Sequence, residues 1–184
     1  VRGHAAILDH IRRVWASLWS DGALLYRQEL GLTPESSAMA VLVQALIVGD
    51  YSGVAFTVSP MHADQSVVEA VPGLNQGLVD GLVAPERWIL NRETHAIVSH
   101  TAADRSQSVV PADQGVRIAA LGDDAQECRG LTAGEVEAVA ALARRIETLF
   151  GSPQDVEWTV VDRDITVLQA RPVTTTAASE DDKR

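Results

Sequence analysis

The first part of the chain follows a helical pattern of apolar and polar positions. Residues 4–20 place apolar side chains three and four positions apart, which predicts an amphipathic helix with one buried stripe. The next stretch, ALLYRQEL at residues 23–30, predicts one or two further helical turns before GLTPESS ends the pattern. The apolar positions of the first helix are 7, 8, 11, 14, 15, 18 and 19.

The middle of the chain changes to short runs typical of strands. Residues 39–48 and 52–59 are rich in β-branched side chains and are separated by GDY, so they are expected to be neighbouring strands. SVVEAV, residues 66–71, predicts a further short strand before a glycine-rich stretch. The segment 87–101 predicts a hairpin that turns at Asn91–Thr94.

The last third combines one helix with one hairpin. Residues 101–130 are polar and weakly patterned, and they are expected to be a loop. Thr132 and Glu135 have the spacing of a capping box, so a helix is predicted to begin there. Gly151 and Pro153 are expected to end it. Helices mixed with antiparallel strands indicate an α+β protein.

Composition narrows the class of protein. The 184 residues, 46% of them hydrophobic, suit one globular domain, expected over residues 1–175 with a disordered tail at 176–184. No apolar run is long enough to span a membrane, and a net charge of −10 argues against nucleic acid or an anionic membrane as partner. The single cysteine, Cys128, predicts a reducing, cytoplasmic setting. The only lysine, Lys183, lies in the tail.

The hairpin DVEWTVVDRDITVLQAR, residues 155–171, contains polar side chains among its valines. A three-residue loop at Asp162–Asp164 would pair Glu157 with Gln169, Asp155 with Arg171, and Trp158 with Leu168. A two-residue loop would instead pair Trp158 with Gln169 and mix buried with polar positions. The three-residue loop is therefore favoured, because a slip of one residue exchanges the two faces of a strand.

The paired polar residues suggest a cation site. A carboxylate and an amide oxygen on opposed residues, Glu157 and Gln169, can share a hard cation such as Mg²⁺ or Mn²⁺. Arg171, two residues along the same strand and face, can reach a phosphate carried by that cation. The pattern by itself favours the alternative, in which these residues are simply the solvated side of a sheet.

Three blocks of sequence support the interpretation as a cation and phosphate site. AVLVQALIVGDYSGVAFTVSP, VVEAVPGLNQGLVDGLVAPERWIL and DVEWTVVDRDITVLQARPVTT occur in this order. They resemble the nucleotide-binding domain of the family of phosphoenolpyruvate synthase, pyruvate phosphate dikinase and rifampin phosphotransferase. The resemblance implies the C-terminal portion of an ATP-grasp fold, with a mixed or antiparallel sheet and flanking helices.

The resemblance also implies roles for individual residues. Gln44 corresponds to a glutamine that leads to the adenine pocket, where the backbone of residues 45–47 would meet the base. Glu157 and Gln169 correspond to the metal-holding pair on the ATP phosphates, with Mg²⁺ or Mn²⁺ as the metal. Arg171 corresponds to the arginine that contacts those phosphates in catalysis. The phosphoryl group would pass to a carrier histidine and then to a small-molecule acceptor.

Two departures from the family pattern leave alternatives open. The family's Gly-Leu-Gly-Glu is Gly73-Leu74-Asn75-Gln76 in this chain. The first ATP-grasp half, with its lysine, and the phosphohistidine domain are not found in the sequence. A complementary chain or domain is therefore expected, and the isolated chain is expected to be inactive. The alternative is a non-catalytic partner-binding or nucleotide-sensing subunit that keeps the fold.

Overall fold

The structure, a computed structural model, describes residues 1–33, 38–103, 106–113, 115–122 and 130–173. The predicted tail at 176–184 and Cys128 lie outside these ranges. The chain divides into two compact units, Val1–Leu46 and Ile47–Arg184. Among the described residues, no helix combines the length and the apolar character needed to cross a membrane.

The first unit contains the two predicted helices. Helix α1 spans His4–Ser17 and helix α2 spans Asp21–Glu29, where Ser20 caps α2 by accepting a hydrogen bond from the Ala23 amide. The prediction that the apolar stripe of α1 is buried is wrong for the described residues, since none of α1 is buried. Its side chains include Trp15, which is 52% exposed. An apolar face of this unit is therefore open to solvent.

The predicted strand at residues 39–48 is also wrong, because the segment lies outside any helix or strand. The predicted neighbour does form a strand, β1, at Tyr51–Phe56. β1 is hydrogen-bonded to β2 on one edge and to β7 on the other. β-Branched side chains favour a strand only where another strand is present to pair and pack with it.

The second unit is built on an antiparallel sheet of six strands, in the order β4-β3-β2-β1-β7-β8. A separate pair, β5 and β6, forms a small second sheet. Helices α3 and α4 complete the unit, and the α+β prediction is confirmed. The remaining bounds are β2 Gln65–Pro72, α3 Gln76–Val79, β3 Glu86–Asn91, β4 Ile97–Thr101, β5 Gln107–Pro111, β6 Val116–Ala120, α4 Ala133–Phe150, β7 Gln154–Val161 and β8 Asp164–Pro172.

Helix α4 supplies the main core of this unit. The predicted capping box is confirmed: the Thr132 hydroxyl accepts from the Glu135 amide, and the Glu135 carboxylate accepts from the Thr132 amide. The helix ends at Gly151, whose φ of 72° is left-handed, as predicted. Its apolar face packs in one cluster with the buried face of the sheet, including Val156 and Trp158.

The expected loop at residues 101–130 instead contains the β5–β6 hairpin. Val109 on β5 is fully buried and packs with Val71, Leu74 and Val83 in a second small core. Its carbonyl also accepts from the Leu74 amide at 2.9 Å. These strands are five residues long, which leaves too few alternations to distinguish them from a loop by pattern.

The two predicted hairpins are present. In the β3–β4 turn, Asn91 Oδ1 accepts from the amides of Glu93 and Thr94, as expected of an asparagine turn. The three-residue loop predicted for β7–β8 is wrong, because Asp162 and Arg163 alone form a tight turn with φ of 50° and 72°.

A bulge between Glu157 and Trp158 then changes the register of β7 and β8. Trp158 pairs with Val167 and not with the predicted Leu168. Beyond the bulge, the predicted pairs of Glu157 with Gln169 and of Asp155 with Arg171 are confirmed. The polar residues thus oppose each other as expected, although the turn that was predicted to align them differs.

Candidate functional site

The candidate site lies on the face of β7 and β8 opposite to the main core. Val156 and Trp158 of β7 are buried in the cluster that contains α4. Because side chains alternate along a strand, Asp155 and Glu157 belong to the other face. On that face, Gln169 Nε2 of β8 donates to Glu157 Oε1 at 3.4 Å. The predicted carboxylate and amide are therefore in contact.

Arg171 is held by a carboxylate that was not among the predicted site residues. Its Nε and Nη2 both lie 2.8 Å from Asp155 Oδ2. The Asp155 side chain is 7% exposed, whereas that of Arg171 is 66% exposed. Since a guanidinium carries five N–H donors, this contact leaves others for an anion. Asp155 could have been identified as a site residue from the sequence, because the predicted hairpin register already placed it opposite Arg171.

Asn75 also belongs to the site, and sequence reasoning treated it only as a departure from the family pattern. Its Nδ2 donates to Glu157 Oε2 at 2.9 Å, and the residue is 7% exposed. Its Oδ1 is buried and has no hydrogen-bond partner among the described residues. The two residues are 82 positions apart, so no local pattern could have paired them.

The loop that carries Asn75 is held against the sheet by a hydrogen bond from β1. Ser52 Oγ donates to the Gly73 carbonyl at 2.6 Å and lies 2.8 Å from the Thr159 hydroxyl. Gly73 has a φ of 77°, and a Cβ there would lie 2.5 Å from the Val109 carbonyl oxygen. Only glycine fits this position, and the loop therefore leaves β2 in one fixed direction.

Gln76 and Gln44 are the two remaining residues singled out in the sequence. Gln76 Nε2 donates to Asp80 Oδ2 at 2.9 Å on the exposed side of α3. Gln44 belongs to the first unit, is exposed, and lies outside any helix or strand. Its role at an adenine pocket stays a prediction.

The donor set fits a hard cation. Glu157, Gln169 and Asn75 offer one carboxylate and two amides, and Asn75 Oδ1 is an unpartnered buried oxygen. Mg²⁺ takes oxygen ligands and usually keeps several waters. Gln169 presents its amide nitrogen to Glu157, so its amide group would turn over for its oxygen to meet a cation. Within the described ranges, no group of three His, Cys, Asp or Glu side chains could hold a metal.

A second charged cluster lies at the end of α4. Glu147, only 6% exposed, forms ion pairs with Arg92 and with Arg144, the latter at 2.7 Å. Burial of this carboxylate raises its pKa. Hydrogen bonds from Thr57, Arg144 and Arg92, with the charge of Arg92, outweigh burial and lower the pKa below its usual value. Glu147 is therefore ionised at neutral pH, where it pairs with both arginines.

Comparison with known proteins defines the class of domain. The family described as "Pyruvate phosphate dikinase, AMP/ATP-binding domain" matches residues 1–184. This chain belongs to that family, which confirms the family predicted from the sequence.

Named relatives include two kinds of enzyme. The chain is 34% identical over 95% of its length to a probable phosphoenolpyruvate synthase of Methanothermobacter thermautotrophicus, and covers 26% of that protein. It is 37% identical over 95% of its length to the rifampicin phosphotransferase of Streptomyces sviceus, and covers 20% of it. A probable phosphoenolpyruvate synthase of Methanocaldococcus jannaschii is 32% identical over the whole chain, which spans 16% of it. The chain thus spans 16% to 26% of the length of these relatives.

Proposed function

We propose that this chain is the ATP-binding portion of a phosphotransferase of the phosphoenolpyruvate synthase and rifampicin phosphotransferase type. In this proposal a phosphoryl group passes from ATP to a carrier histidine and then to a small-molecule acceptor. The main support is the contact between Glu157 and Gln169, with Arg171 two residues further along the same face. Membership of the AMP/ATP-binding family supports the nucleotide.

The side chains suit the chemistry of phosphoryl transfer, which depends on positioning and on neutralising charge. Glu157 and Gln169 would hold Mg²⁺ or Mn²⁺ on the phosphates. The cation would supply positive charge to the transferring group. Arg171, already oriented by Asp155, would stabilise the same charge through its remaining N–H donors. Gln44 and the backbone of residues 45–47 would contact the adenine.

The proposal includes a complementary ATP-grasp half and a phosphohistidine domain, from the same chain or another. The only lysine of this sequence is Lys183, so a lysine for the phosphates would come from that other half. The open apolar face of α1, with Trp15 and Leu8 each more than half exposed, suits a packing partner. We expect the isolated chain to be inactive in transfer. The cytoplasmic setting inferred from the lone cysteine belongs to the same proposal.

Calorimetric titration of ATP with Mg²⁺ tests the proposal. The titration is done on this chain alone and with proteins that supply the lysine-bearing half. We expect binding that appears or tightens with the partner, and that is lost in Glu157→Ala and in Arg171→Ala. Arg145→Ala, an exposed arginine on α4, is the matched control and should bind as the parent does. In the assembled enzyme, both site variants should abolish phosphoryl transfer while keeping the fold, and full activity in both would refute the assignment.

One observation favours a second function. Gln76 stands where the family has an acid, and its amide is hydrogen-bonded to Asp80. A site without that acid suits a partner-binding subunit or a nucleotide sensor that binds without turnover. Stable pairing with no nucleotide binding in any titration would select the partner-binding subunit. Binding of ATP by the complete assembly without transfer would select the sensor.

A further inference from the structure

Asn75 is one of two buried site residues whose hydrogen bonding is incomplete; the other is Asp155, whose Oδ1 also lacks a partner among the described residues. Asn75 is 7% exposed; its Nδ2 donates to Glu157 Oε2 at 2.9 Å, and its Oδ1 has no partner among the described residues. A buried amide oxygen without a hydrogen bond costs free energy, so such a group calls for an explanation. The same side chain therefore holds a carboxylate with one end and presents an unused acceptor with the other.

The orientation of the amide follows from the charge of its neighbour. Turning the Asn75 side chain over would put its oxygen against the Glu157 carboxylate, where two acceptors repel each other. The donor must therefore face Glu157. The oxygen is then left as a buried acceptor without a donor among the described residues.

The local fold does not require this side chain. Asn75 precedes α3, but its side chain makes no capping hydrogen bond. The amides of Leu78 and Val79 bond to its backbone carbonyl, which any residue would supply. Its φ of −57° suits any residue as well. The burial of this amide is explained by the neighbouring carboxylate and not by the helix.

We propose that Asn75 is a positioning residue for the phosphate-bound cation. Its Nδ2 holds Glu157 in the orientation that meets the cation, and its Oδ1 accepts a hydrogen bond from a water of the cation's hydration shell. Such waters are retained by Mg²⁺ and need acceptors. Groups that orient a metal ligand in this way contribute strongly to metal affinity. The inference rests on the proposed function, because it assumes a cation at Glu157.

The test measures Mn²⁺ binding and not activity. The chain, with its complementary half where nucleotide binding needs it, is titrated with Mn²⁺ and a non-hydrolysable ATP analogue, and free Mn²⁺ is counted by electron paramagnetic resonance. We expect Asn75→Ala to weaken Mn²⁺ binding about tenfold to a hundredfold. Gln107→Ala, which removes an exposed amide on β5, is the matched control, and its Mn²⁺ affinity should be unchanged.

A second measurement separates positioning from a loss of structure. Nucleotide affinity in EDTA and the circular dichroism spectrum should be the same in Asn75→Ala and the parent, since only the cation-dependent part of binding is affected. Unchanged Mn²⁺ affinity in Asn75→Ala would overturn the inference and leave the proposed function standing. Equal loss of metal-dependent and metal-free binding would also overturn it, since Asn75 would then be structural. If the parent chain with its complementary half binds the nucleotide but takes up no Mn²⁺ under any condition, the inference alone is refuted; if it binds neither nucleotide nor Mn²⁺, both proposals are refuted.

Discussion

Glutamine in place of Glu147 would remove the carboxylate that faces both Arg92 and Arg144 at the end of α4. The substitution keeps the size of the side chain and one carbonyl oxygen, so it changes charge more than packing. The two arginine side chains then face a neutral amide at a buried position, since Glu147 is only 6% exposed. The unfolding free energy of the second unit should fall.

The size of the effect follows from the contacts. A hydrogen bond to a charged group contributes about 1.5 to 3 kcal/mol, and Glu147 accepts such bonds from two arginines. The arginine side chains are 22% and 34% exposed, so water partly compensates for the loss and screens the charges. A net cost of about 2 kcal/mol is expected, which lowers the melting temperature of a domain this size by about 4 to 8 °C.

The pH dependence has a definite sign. The pKa of Glu147 is lowered in the folded protein. Its contribution to stability is therefore present above the ordinary pKa of 4.5 and is lost as the pH falls through the lower, folded value. The difference between the parent and Glu147→Gln should accordingly be largest near neutral pH and should shrink below pH 4.5.

Urea unfolding at neutral and acidic pH measures this difference. Glu137→Gln, an exposed glutamate on the same helix, is the matched control and should change stability by less than about 0.5 kcal/mol. The reasoning would be refuted by a Glu147→Gln variant as stable as the parent at pH 7, or by a deficit that persists undiminished well below pH 4.5.

Two further predictions concern backbone conformation, at glycines and at the β7–β8 turn. An alanine at Gly53 would overlap the Glu69 carbonyl oxygen of the adjacent strand, so Gly53→Ala should lower the free energy of unfolding by about 3 kcal/mol. Gly134→Ala in α4 is its counterpart, because a Cβ there has nothing within 4 Å. It should raise the free energy of unfolding by up to about 1 kcal/mol in the same urea titration. Asp162→Asn combined with Arg163→Gly should raise the melting temperature, because both residues have left-handed backbone conformations. Such conformations cost roughly 1 to 2 kcal/mol in non-glycine residues. A lower melting temperature would contradict the two-residue turn.

The sequence by itself determined the elements whose hydrogen bonds join near neighbours. Helices α1, α2 and α4 follow from apolar spacing, and the α4 capping box joins residues three positions apart. The β3–β4 turn follows from one asparagine. The contact of Glu157 with Gln169 was also predictable, because both lie in one hairpin and alternation assigns them to one face. Family membership was predictable from three ordered sequence blocks.

Only the tertiary structure decided which distant segments meet. Residues 39–48 form no strand despite their strand-like composition, and both edges of β1 are paired with β2 and β7. The β5–β6 hairpin is specified by burial of Val109 against residues far along the chain. Asn75 reaches Glu157 because Ser52 holds the intervening loop, a contact that no local pattern contains. Local spacing specifies which groups can bond nearby, whereas contacts at long range depend on which edges and surfaces the whole fold leaves available.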